Sequence, residues 1–95
     1  MTNPQRGETA IQIAGRAHVL RLTLAALAEI EAGLACDGLE ALSKRLSRLD
    51  AGALQIVLAA LLRGGGAQEC ETLAGEADAR SAARAVAACF KANLA

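Results

Sequence analysis

Residues 8–33, ETAIQIAGRAHVLRLTLAALAEIEAG, change their periodicity once, at Thr23, and that switch decides the fold. Before Thr23 the apolar residues alternate, with Ile11 and Ile13 on one side of a first strand and Leu20 and Leu22 on one side of a second. A two-residue turn at Gly15-Arg16, with glycine at its first central position, pairs Ile13 with His18, Ile11 with Leu20 and Thr9 with Leu22. In that register the larger apolar residues except Val19 share one face. A lone hairpin is marginal in water, so this face needs helices packed on it.

From Thr23 onward the spacing is helical. Thr23 is a candidate N-cap, Leu24, Leu27, Ile30 and Leu34 recur at three- or four-residue steps, and Gly33 ends or loosens the helix. Asp37 and Glu40 read as a capping box ahead of a second helix, with Leu39, Leu42, Leu46 and Leu49 on one stripe and Lys44, Arg45 and Arg48 away from it. Asp50 caps a third helix over Ala51 to Arg63, stopped at Gly64 to Gly66, where the glycine run also reads as a hinge. A short acidic helix around "AQECETLAGEA" presents Cys70, Leu73 and Ala74. Asp78 caps a last one with Ala82, Val86, Cys89 and Phe90 as its apolar stripe and Arg80 and Arg84 opposite. The expectation is therefore an α+β fold: an N-terminal β-hairpin packed on a small bundle of three to four α-helices. It forms a single domain over residues 1–95, with the hairpin at about 8–22 and the helices at about 23–94.

Composition narrows the function classes. Ten basic and ten acidic side chains cancel, so no global field draws in nucleic acid or an anionic membrane, and one Phe with no Trp or Tyr leaves little for base stacking. No apolar stretch is long enough to span a bilayer, and the polar start lacks the apolar core of a signal peptide. Cys36, Cys70 and Cys89 are odd in number and lack a CxxC spacing, which argues against a disulfide framework or a zinc knuckle and for a reducing cytoplasm.

The chain offers no convincing chemistry. Glu29 and Glu31 point roughly 200° apart on a helix, so they cannot converge on one bond or one metal; they read as solvated or locally paired acids flanking Ile30. His18 is the only histidine, at the end of the hairpin's apolar face, with no further ligands at a metal-site spacing. "RGGGAQ" follows a helix and lacks the Lys-Ser/Thr of a phosphate loop. Catalytic, cofactor-binding and metal residues are accordingly expected to be none, and no cofactor is called for.

One helix points to binding instead. With Leu54 as origin, Val57, Leu58, Leu61 and Leu62 fall within an arc of roughly 140°, and Ile56 lies about 200° from Leu54 beside Ala59 and Ala60, so the helix is apolar almost all round. Such a helix is central in its bundle or covered by another chain. The candidate partner interface is Ile56, Ala59, Ala60 and Arg63, for self-association as a homo-oligomer or for a client.

"NPQRGE" at Asn3 to Glu8, Gly15-Arg16, "VLRLT" at Val19 to Thr23, "LAALAEIEA" at Leu24 to Ala32 and "GLEALSKRL" at Gly38 to Leu46 together resemble the small tail protein family of gene transfer agents. The resemblance covers the first half by order and spacing, and the last third by its helical, alanine-rich character. It implies a non-enzymatic role in tail morphogenesis, in phage-like clusters beside the major tail protein and the tape measure. The implied activity is that of a tail assembly chaperone, which holds tape measure and tube subunits in the cytoplasm until they polymerise. A structural tail tube component, incorporated in the phage-like particle, is the alternative. A small helical protein-interaction domain of unrelated role is another.

Overall fold

A computed structural model describes residues 7–48 and 50–94. The first residues of the NPQRGE stretch, Leu49 and the side chain of Leu39 lie outside what is described, and the stripe positions assigned to those two leucines with them. The element order is β1 (Glu8–Ile13), β2 (Arg16–Arg21), α1 (Leu24–Gly33), α2 (Gly38–Leu46), α3 (Ala51–Gly64), α4 (Cys70–Glu76) and α5 (Ala79–Leu94). The α+β hairpin-on-helices architecture is as expected. The helix count is corrected to five among the described residues, because the short acidic segment forms a full seven-residue helix, held by burial of Cys70 and Ala74 against the core.

The hairpin register also differs. Glycine occupies the second central position of the turn, with Ala14 at φ 52° and Gly15 at φ 79°, the pattern of a type I′ turn. Moving the turn back by one residue shifts the pairing by two: Ile13 faces Arg16, Ile11 faces His18 and Thr9 faces Leu20. A shift of two preserves the side-chain alternation, so Ile11, Ile13 and Leu20 are still buried together and Val19 is only half-buried.

Thr23 accepts a hydrogen bond from Ala26 N–H at 3.0 Å and Asp50 Oδ1 one from Ala53 N–H at 2.8 Å, so both caps form as expected. Asp37 does not cap through its side chain. Gly38 enters α2 at φ 85°, and its N–H goes instead to Glu31 Oε2 of the preceding helix at 2.8 Å. Leu24 is corrected as well: as the first residue of α1 it precedes the turn that meets the core and is 83% exposed, whereas Ala26 and Ile30 are buried.

α3 is the centre of the molecule. Val57, Leu58, Leu61 and Leu62 are fully buried, and α1, α4, α5 and the hairpin all pack around this helix. Each such side chain removed from water stabilises the fold by about 1.5–3 kcal/mol. The glycine run does more than stop the helix, and it packs where a hinge was expected. A β-carbon on Gly64 would fall on the carbonyl oxygen of Arg21, and one on Gly65 on that of Val19, so the missing side chains let the end of α3 lie against the backbone of β2. At the same open end of the hairpin, beside the start of β1, Asn93 Nδ2 on α5 donates to the Gly7 carbonyl at 2.9 Å and to the Cys89 carbonyl at 2.7 Å.

Candidate protein-interaction site

The outward face of α3 carries the four residues singled out from the sequence, and they divide. Ile56 is 38% exposed and Arg63 is exposed, but Ala59 and Ala60 are buried within the chain itself. The reason is steric: α1 and α4 close on α3 from both flanks, and alanine is small enough to let them approach. Of the four candidate residues, Ile56 and Arg63 are therefore the ones exposed on this face. A depression of about 270 Å³ remains beside Ile56, lined also by Gly52, Gln55, Ala59 and Glu71.

Two contacts fix the walls of this depression. Ile56 packs on Gly33 near the end of α1, where a β-carbon would stand 2.7 Å from Ile56 Cγ2. Arg63 donates from Nη1 to Glu29 Oε2 on α1 and from Nη2 to Glu71 Oε1 on α4, bridging both neighbouring helices across α3. These two hydrogen bonds, to Glu29 first and then Glu71, raise the Arg63 guanidinium further above its already high ordinary pKa. Glu71 is held below its ordinary value by its own backbone N–H in the first turn of α4, and then by Arg63. The bridge was not legible in the sequence, because Glu29 and Arg63 are 34 positions apart.

Glu29 and Glu31 are both paired, Glu29 across the fold with Arg63 and Glu31 nearby with the Gly38 N–H at the start of α2. His18 is half-buried, with its Nε2 atom enclosed and without a hydrogen-bond partner. Cys36, Cys70 and Cys89 are free thiols, and burial pushes Cys70 and Cys89 up, away from the thiolate a nucleophile needs. Among the described residues no group of three or more His, Cys, Asp or Glu could hold a metal ion, and no helix is long and apolar enough to cross a membrane.

A second depression, of about 370 Å³, lies on the Leu54 side of α3, between α2 and α5. Its floor includes Val86 and Phe90, read from the sequence as core, while its α5 wall, Ala83 and Ala87, is exposed and was not singled out. Exposed alanines carry no pattern signal of their own.

Searches of curated proteins and of solved structures gave no match. A family model described as "Phage tail tube protein, GTA-gp10" matches residues 6–95, which extends the resemblance through the C-terminal third. The chain belongs to this phage and gene transfer agent tail protein family.

Proposed function

We propose that the protein is a tail assembly chaperone that acts by binding, without catalysis, and that its clients are the tape measure protein and the major tail protein. The observation that carries this reading is the family match across residues 6–95, which implies interactions with other tail proteins. The surface supports it: the depressions beside Ile56 and between α2 and α5 are largely apolar, and the polar side chains that line them do not converge in the manner of an active site. Ile56, in contact with Gly33 and flanked by Arg63, is the position proposed for a client or self-association contact.

The reading is tested by co-expression with each client. A soluble complex with the tape measure protein or with unpolymerised major tail protein, co-eluting on size exclusion, is expected. Clients whose solubility is unchanged and which elute separately would contradict it. The alternative, a structural component of the tail tube, is favoured by the wording of the family description and differs in one observable, its presence in the finished particle.

A further inference from the structure

We infer that the groove between α2, α3 and α5 docks an acidic amphipathic helix of a protein partner; this rests on the protein-binding reading above. The floor is apolar, built by half-buried Leu46 and Leu54 and by buried Val86 and Phe90, with exposed Ala83 and Ala87 as the α5 wall. Taking Ala87 as origin at about 100° per residue, Ala83, Phe90 and Val86 lie within about 100° on one side, and Arg80, Lys91 and Arg84 within about 60° on the other. An apolar strip thus runs directly into a basic edge. α5 carries no acidic residue, and among the described residues none of its three cations has a carboxylate within ion-pair distance. A positive edge whose nearby carboxylate, Asp78, acts on Arg84 only from beyond ion-pair distance, set beside an exposed apolar strip, is complementary to a helix with an apolar stripe flanked by Glu or Asp.

The dimensions favour a helix laid along the rim. The 16 residues of α5 offer an edge of about 24 Å. A volume of about 370 Å³ admits a few apolar side chains, not a whole helix, so the partner inserts its stripe and keeps its backbone outside. A second copy of this chain does not supply such a stripe. Its exposed large apolar residues among those described are Leu24, alone at the start of α1, and Ile56, which lines a depression of its own. The groove and Ile56 also lie on opposite sides of α3, since Leu54 and Ile56 point about 200° apart.

The test uses the full chain and two labelled synthetic helical peptides with the same leucine stripe, one flanked by glutamates and the other by lysines. Fluorescence anisotropy is expected to show binding of the glutamate peptide, weakened by salt. The charge-reversed variant Arg84→Glu/Lys91→Glu should lose about tenfold or more in affinity and prefer the lysine peptide. Ala87→Glu should lose the glutamate peptide too, whereas Arg84→Lys/Lys91→Arg should keep it. These positions are exposed, and circular dichroism confirms that each variant is folded. No binding, equal binding of both peptides, or indifference to Ala87→Glu would overturn the proposal. So would displacement of the peptide by duplex DNA, which would assign the edge to nucleic acid, or oligomers of the chain alone that Ala87→Glu disperses, which would assign the groove to a second copy. A glutamate peptide that binds as described, together with failure of the co-expression test, would remove the chaperone reading and leave the groove standing.

Discussion

Gly33 and Ile56 meet where α1 crosses the outer face of α3, and the glycine leaves only enough room for the isoleucine γ-methyl. Gly33→Ala gains helix propensity of up to about 1 kcal/mol but overpacks this contact at a cost of about 1–3 kcal/mol. The variant is expected to be destabilised on balance. In an Ile56→Ala background the clash is gone, and the same substitution should become neutral or stabilising. Urea denaturation of the four proteins measures the coupling, expected at about 1 kcal/mol or more, and additive effects would show that the two residues do not touch.

Ile56→Glu separates assembly from folding. Because Ile56 is partly exposed at a wall of its depression, the substitution is expected to cost less than about 1–2 kcal/mol, well short of the loss at Leu61 or Leu62. Binding of a client, or self-association, should be abolished. Light scattering and denaturation of the same preparation check both halves. A variant that unfolds, or one that stays folded and still assembles, would show that this face is not the interface.

Gly64 and Gly65 abut backbone atoms that have no freedom to move aside. Gly65→Ala is expected to cost about 2–3 kcal/mol and lower the unfolding midpoint by about 10–20 °C. Gly52, near the start of the same helix, has open space around it, the nearest atom to an added β-carbon being Asp50 Oδ1 at 3.7 Å. Gly52→Ala should stabilise by about 0.5–1 kcal/mol. Equal effects at the two sites would refute the close approach of α3 to β2.

Much of this could be read from the residues alone. The switch at Thr23, the cap at Asp50 and the stripe Ala82, Val86, Cys89 and Phe90 follow local rules, and the structure places them accordingly. What escaped depends on long-range contacts or on backbone strain. The turn register hinged on Ala14 adopting a left-handed conformation that its side chain disfavours by about 1–2 kcal/mol, so no residue preference announced it. Ala59 and Ala60 point away from the core arc of α3 and are buried only because α1 and α4 fold over them. The Arg63 bridge joins three helices that no spacing rule connects.

Two exposed carboxylates contribute to the acid limb of stability. Glu71 is held below its ordinary 4.5 by its own backbone N–H and then Arg63, and Asp78 below its ordinary 3.8 by the backbone and then the hydroxyl of Ser81. A depressed folded pKa contributes stability that is fully present above the unfolded value and is lost as pH falls through the folded one. The unfolding midpoint should therefore be flat in these two groups above about pH 5 and fall below pH 4. Arg63→Met should shrink the acid slope without abolishing it, because Asp78 and the Glu71 backbone bond remain. An unchanged slope, followed by thermal denaturation across pH, would count against the bridge.

The thiols give a further check. Cys36 is half-buried, whereas Cys70 and Cys89 are buried with raised pKa values, so a thiol reagent at neutral pH should modify Cys36 first and reach the other two only on unfolding. Reductant and chelator should leave the unfolding midpoint within about 5 °C, a change near 1 kcal/mol for this size. Rapid labelling of all three in the folded protein would contradict the core assignment.

The proposal of a chaperone, as against a tube subunit, is tested most directly by counting this protein in finished particles. Quantitative mass spectrometry of purified particles, referenced to the major tail protein, is expected to find it absent or far below one copy per tube ring. Many copies per tail, in fixed ratio to the tube subunit, would contradict the account and make it a permanent component of the tail.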